Sequence, residues 1–161
     1  MVVRIVGLLI GIAFIGASAV YHLASSVVAQ QNNFDEQARQ WAFERTTITQ
    51  IDEISEYRGK SSYAVVIGKN KVGTPVIAWM TKDDVVFDVL HGTVPKKNVQ
   101  EAVMKSHPNA VIKHIVPGID GEKRFWEVLY IDEEKRYNYV YYDFHTGELL
   151  RAYRLNKIDS P

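Results

Sequence analysis

Phe125-Trp126-Glu127-Val128-Leu129-Tyr130-Ile131, then Asp132-Glu133-Glu134-Lys135, then Tyr137-Asn138-Tyr139-Val140-Tyr141-Tyr142-Asp143-Phe144 reads as two strands joined by a charged turn. Aromatic and β-branched side chains favour the pleated backbone, and the acidic cluster favours a solvated reversal. His145-Thr146-Gly147 turns the chain again into Glu148–Leu155. Along the first strand Trp126, Val128 and Tyr130 share one face. Glu127 marks the opposite face as the solvent side near its start, which assigns Trp126 and Val128 to the core. Tyr137, Tyr139 and Tyr141 also share a face. They either pack against a neighbouring helix or form an exposed aromatic ladder for a protein partner.

That helix precedes the hairpin. Pro95 suits a first helical turn, and Val99, Ala102, Val103 and Ser106 recur at helical spacing before Pro108 stops them. A strand over 110–116 and a turn over 117–121 lead into Phe125. The same order occurs earlier in the chain. Phe34, Ala38, Trp41, Ala42 and Arg45 predict an amphipathic helix, and strands follow near 46–51, 63–67, 75–80 and 85–90. A constant offset of 63 lays Tyr63 over Trp126, Val65 over Val128, Ile77 over Val140 and Trp79 over Tyr142. Each unit is therefore expected to be one helix on an antiparallel meander of about four strands, an α+β class. A unit of about 60 residues is marginal alone, so the two should pack together.

Charge divides the chain differently. It has 161 residues with 19 basic and 19 acidic side chains, and residues 1–34 hold one of these, Arg4. Ile5 to Val20 is wholly apolar, Gly or Ser, and the run continues more dilutely to Ala29. A span needs roughly 20 residues, so 5–29 is expected to be a transmembrane helix in contact with lipid. Arg4 places the N-terminus in the cytoplasm and the polar remainder outside it. The alternative is a cleaved leader, because Ala17-Ser18-Ala19 fits a cleavage pattern. No Pro or Gly separates the apolar run from the amphipathic helix, so one helix can carry both. The resulting division is a cytoplasmic stub and anchor over 1–29, a first unit over 30–91 and a second over 92–161.

The chain lacks cysteine, which removes disulfides, thiolate metal sites and cysteine nucleophiles. A net charge of zero argues against nucleic-acid binding. His22, His91, His107, His114 and His145 form no paired metal motif. The sequence has no GxSxG, P-loop or GxGxxG pattern. The expectation is a protein that is not an enzyme, with no catalytic, cofactor or metal residues and no small-molecule substrate. Tyr137, Tyr139 and Tyr141 are then the candidate partner-binding residues.

The strand Phe125–Tyr130 and the run Tyr139–Leu150, with its Asp143 and the Thr146-Gly147 step, resemble a PepSY-type domain. The Gly supplies the positive φ of a tight reversal. The whole layout resembles the cell wall elongation regulator TseB-like proteins of Gram-positive bacteria, most strongly over 122–154. That resemblance implies a cystatin/monellin-like fold in both units. It also implies a non-enzymatic protein, anchored in the cell membrane, that associates with a class B penicillin-binding protein. The alternative is a PepSY-type inhibitor of a secreted or membrane peptidase. Val116-Pro117-Gly118-Ile119 is the apolar, turn-rich stretch that would serve as its wedge loop.

Overall fold

The computed structural model describes residues 2–155, with side chains at 20–22, 24–26 and 28–155. Two helices and eight strands follow in order. They are α1 (Val2–Arg45), β1 (Ile48–Arg58), β2 (Ser62–Asn70), β3 (Pro75–Met80), β4 (Val85–Val89), α2 (Lys96–Ser106), β5 (Val111–Asp120), β6 (Lys123–Ile131), β7 (Tyr137–Asp143) and β8 (Leu149–Leu155). The strands form two antiparallel four-stranded sheets, ordered β1-β2-β3-β4 and β5-β6-β7-β8. The apolar run and the amphipathic segment do form a single helix. The span expected over 5–29, and the alternative cleavage after Ala19, fall largely on residues whose side chains lie outside the described set. Among the described residues no helix is long and apolar enough to cross a membrane.

The chain divides into two compact units within α1, after Gln37. The first is helix alone. The second begins at Ala38 and holds both sheets. The offset of 63 is visible in its elements, since β1 shifted by 63 falls on β5, β3 on β7 and β4 on β8. Both first strands carry a bulge near their start, between Ile48 and Gln50 in β1 and between Ile112 and His114 in β5. A bulge adds twist and bends its strand.

The first sheet is closed on both faces. Ala64, Val66, Val76, Ala78 and Met80 occupy one face and are buried. Ala38 and Ala42, both fully buried, are the α1 side of that packing, and small residues on each side allow close approach. The Arg45 guanidinium fixes the end of α1 by donating to the Thr81 carbonyl at 2.7 Å. Val65, Ile77 and Trp79 point the other way, into a core shared with Val99 and Val103 of α2 and with the second sheet. Trp79 and Trp126 both lie against Phe144, with ring centroids 5.6 and 5.3 Å apart. The Trp79 indole N–H donates to the buried Pro117 carbonyl at 3.0 Å. The Trp126 indole N–H donates to the Val94 carbonyl at 2.9 Å, tying β6 to the segment before α2.

Three expectations are corrected here. Strand β1 does not stop near Ile51 but runs to Arg58. Polar residues are spread along it, and Glu53 pairs with Lys96 at 2.6 Å, so an apolar criterion ends the strand too early. The turn expected over 117–121 is displaced, because Val116-Pro117-Gly118-Ile119 lies inside β5 and the reversal falls at Gly121-Glu122. Proline is tolerated there because β5 is an edge strand. Pro117 and Ile119 are buried, so this stretch offers no wedge for a peptidase cleft. Finally, Glu127 does not mark a solvent face. It is buried beneath side chains of β1 and β7, as is its neighbour Phe125.

Strand β4 has a protected outer edge. The Val85 N–H donates to the Asp84 carboxylate and the Val89 N–H to the Asp88 carboxylate, each at 2.8 Å. A short strand with two of its three outward donors capped by its own acids is a poor template for pairing.

Candidate interaction surface

Tyr137, Tyr139 and Tyr141 alternate along β7 with Asn138 and Val140, so the pleat sets the three on one face of the second sheet. That face is not the one covered by α2. The helix lies on the Trp126–Val128–Tyr130 side, where His107 stacks on Tyr130 at 5.0 Å. Packing of the tyrosines against the helix over 95–107 is therefore excluded by the register.

The three tyrosines differ in environment. Tyr141 is buried, with its ring edge-on to Phe125 at 5.4 Å and to Tyr153 at 6.0 Å. The Arg151 guanidinium sits 4.1 Å from its centroid, a cation–π geometry. Tyr139 is half-buried and edge-on to His114 at 6.4 Å. Tyr137 is 47% exposed at the hairpin end. The neighbouring strand continues the surface, since Tyr153 pairs with Tyr139 and Leu155 with Tyr137, and both are more than half exposed. The result is a graded face, buried beside β1 and open toward β8.

Behind the tyrosines lies a polar pocket. Glu127 faces His114, Nε2 to Oε1 at 3.2 Å, and shares the cleft with Tyr141. Burial drives the Tyr141 phenol well above its ordinary range, and the Glu127 carboxylate adds to the shift. Glu56 and Arg58 of β1 complete a cleft of about 520 Å³ with His114, Glu127, Tyr139 and Tyr141. Glu56 accepts from Arg58 at 2.7 Å, so those two charges satisfy each other. Among the described residues no three side chains of metal-ligating type come together. The arrangement suits recognition, with rigid aromatic surface next to fixed polar groups.

Sequence reasoning missed the groups that make this face a surface. Arg151 and Tyr153 follow from the alternation of β8 once its register is known. Tyr57, which lies edge-on to Phe125 at 5.6 Å, comes from the other sheet and leaves no local signal. The charged turn over 132–136 is also more ordered than a solvated tip. Burial raises the Asp132 carboxyl, but the Arg136 backbone N–H, the Asn138 amide and the Arg136 guanidinium outweigh it and hold it well below the usual carboxylate range.

The chain resembles known proteins over most of its length. Residues 37–81 match the family model of the cell wall elongation regulator TseB-like domain. That segment covers the end of α1 through β3, so the match lies on the first sheet, whereas the motif-level resemblance lies on the second. The "Probable cell wall elongation regulator TseB" of Bacillus subtilis (strain 168) is 27% identical across a 135-residue alignment covering 78% of this chain and 80% of that protein. A solved structure of the YpmB protein from Bacillus subtilis is similar with a TM-score of 0.60 and 26% identity, over 73% of this chain and 94% of that one.

Proposed function

We propose that this chain, similar to a cell wall elongation regulator across 78% of its length, is a regulator of cell wall elongation that acts by binding and not by catalysis. The similarity to the TseB relative is the single observation that carries this reading. A regulator of elongation has protein partners in cell wall synthesis. The partner we propose is a class B penicillin-binding protein at the outer face of the cell membrane. The apolar run over 5–29 supports an anchor, with the sheets outside the cytoplasm. Tethering both proteins to one membrane raises their effective concentration, so a weak interface suffices. The tyrosine face of the second sheet supplies rigid aromatic area of the kind enriched at protein interfaces.

The test is crosslinking of the full chain in membranes, followed by identification of what is captured. Recovery of a class B penicillin-binding protein is expected. Recovery of a secreted peptidase in its place, or of no cell wall enzyme, overturns the reading. Anchoring is tested separately with an exported chain lacking residues 1–29, which should fail to restore elongation. Full restoration would remove the tether from the account.

A further inference from the structure

Four strands form the sheet borders, and three of them are closed. Strand β4 is short and capped by Asp84 and Asp88. Strands β1 and β5 lie along each other, with Tyr57 of β1 over Gly118 of β5 and the Pro117 carbonyl taken by Trp79. Strand β8 differs. It is seven residues long, exposed along its whole length, and has β7 as its one neighbour.

Its backbone polarity can be assigned. The Asp143 N–H of β7 donates toward β8, to the Glu148 carbonyl, and the Phe144 N–H donates toward β6, to the Arg124 carbonyl. By alternation Tyr137, Tyr139 and Tyr141 bond to β8, so their partners Leu155, Tyr153 and Arg151 point inward. Ala152 and Arg154 then direct their N–H and C=O groups outward, where no described residue meets them.

The side chains of this border select its occupant. Leu149-Leu150-Arg151-Ala152-Tyr153-Arg154-Leu155 holds two cations and no anion. Neither arginine has a carboxylate within ion-pair distance among the described residues; Arg151 lies over Tyr141, and Arg154 donates to the Asn138 side-chain oxygen at 3.1 Å. Pairing of β8 with a second copy would gather both arginines of each chain along one seam with no counter-charge, which charge complementarity disfavours. We propose that β8 accepts an extended, acidic segment of a partner protein as a ninth strand. Carboxylates at alternate positions would meet Arg154 on one face, and the segment's apolar residues on the other would cover Tyr153 and Leu155, which share their face with Arg151. Main-chain bonds to Ala152 and Arg154 supply affinity, and the Arg154 charge supplies specificity. This inference rests on the reading that the chain works by binding a protein, and it names where and by what chemistry.

The test uses the full chain in detergent micelles with two synthetic nonapeptides, one alternating Glu and Val and one with Lys for every Glu. The acidic peptide should bind at least about tenfold more tightly, lose affinity in salt, and move the Ala152 and Arg154 amide resonances most. Ala152→Pro removes an outward donor without breaking a bond to β7, and should weaken binding about tenfold. The double variant Arg151→Glu with Arg154→Glu, which keeps every backbone donor, should prefer the basic peptide. Equal binding of both peptides, shifts centred elsewhere, or a peptide-free dimer joined through β8 overturns the proposal. Crosslinking distinguishes this from the regulator reading. If Ala152→Pro captures the synthase as well as the native chain does, β8 is wrong and the regulator stands. If neither captures it, the regulator reading fails.

Discussion

Replacing Trp79 by Phe tests how the two sheets are joined. The indole is fully buried, and its N–H serves the carbonyl of Pro117 at 3.0 Å in the interior. Phenylalanine keeps an aromatic ring against Phe144 but strands that carbonyl away from water. A buried acceptor left unpaired costs about 1–3 kcal/mol. The missing atoms and residual void add about 1 kcal/mol. The expected loss is therefore about 2–4 kcal/mol, measured by urea denaturation of the full chain with far-ultraviolet circular dichroism. Trp126→Phe is the internal control. Its N–H partner, the Val94 carbonyl, is only part-buried, so water can replace the bond and the cost should be about half as large. A loss below about 1 kcal/mol for Trp79→Phe, or a larger loss for Trp126→Phe, would refute the claim that this bond couples the sheets.

Other perturbations probe neighbouring features. In Gly118→Ala the new methyl group would collide with the Phe125 ring and stand 2.8 Å from the Tyr57 ring, so denaturation should show a loss of about 1–3 kcal/mol. Tyr141→Ala removes a buried ring packed on Phe125 and beneath Arg151 and should cost about 3–5 kcal/mol, whereas Tyr137→Ala at the exposed end should change stability by less than about 0.5 kcal/mol. Asp143 is held below the usual carboxylate range chiefly by the Thr146 N–H. Its stabilisation is present above the unfolded value near about pH 4 and is lost as pH falls through the lower native value. Melting temperature should fall steeply below that point, and Asp143→Asn should flatten the acid limb. Tyr57 and Tyr141 are raised by burial. Their contribution is complete below the unfolded value near about pH 10 and declines above it, which a melting series to pH 11 will register.

Much of the architecture was legible because it is local. Strands β3, β4, β7 and β8 announced themselves through apolar runs between turn residues, and α2 through the spacing of Val99 and Val103. The misreadings have one origin, burial supplied by distant residues. Pro117-Gly118 resembles a turn until a tryptophan from the other sheet caps the proline and two rings fill the space beside the glycine. Glu127 resembles a surface residue until β1 closes over its side of the sheet. The alternation of Tyr137, Tyr139 and Tyr141 was readable, but their orientation away from α2 was not, because period two defines a face without saying what covers it.

The acids at β4 have a consequence for stoichiometry. A protein with two receptive borders can link guest to guest and grow without limit, as fibrils do. Here Asp84 and Asp88 occupy two of the three outward donors on the β4 flank, which makes that flank a poorer acceptor of a guest strand than the opposite one. If β8 takes a guest strand as proposed, this asymmetry favours one guest per molecule over a growing chain of sheets.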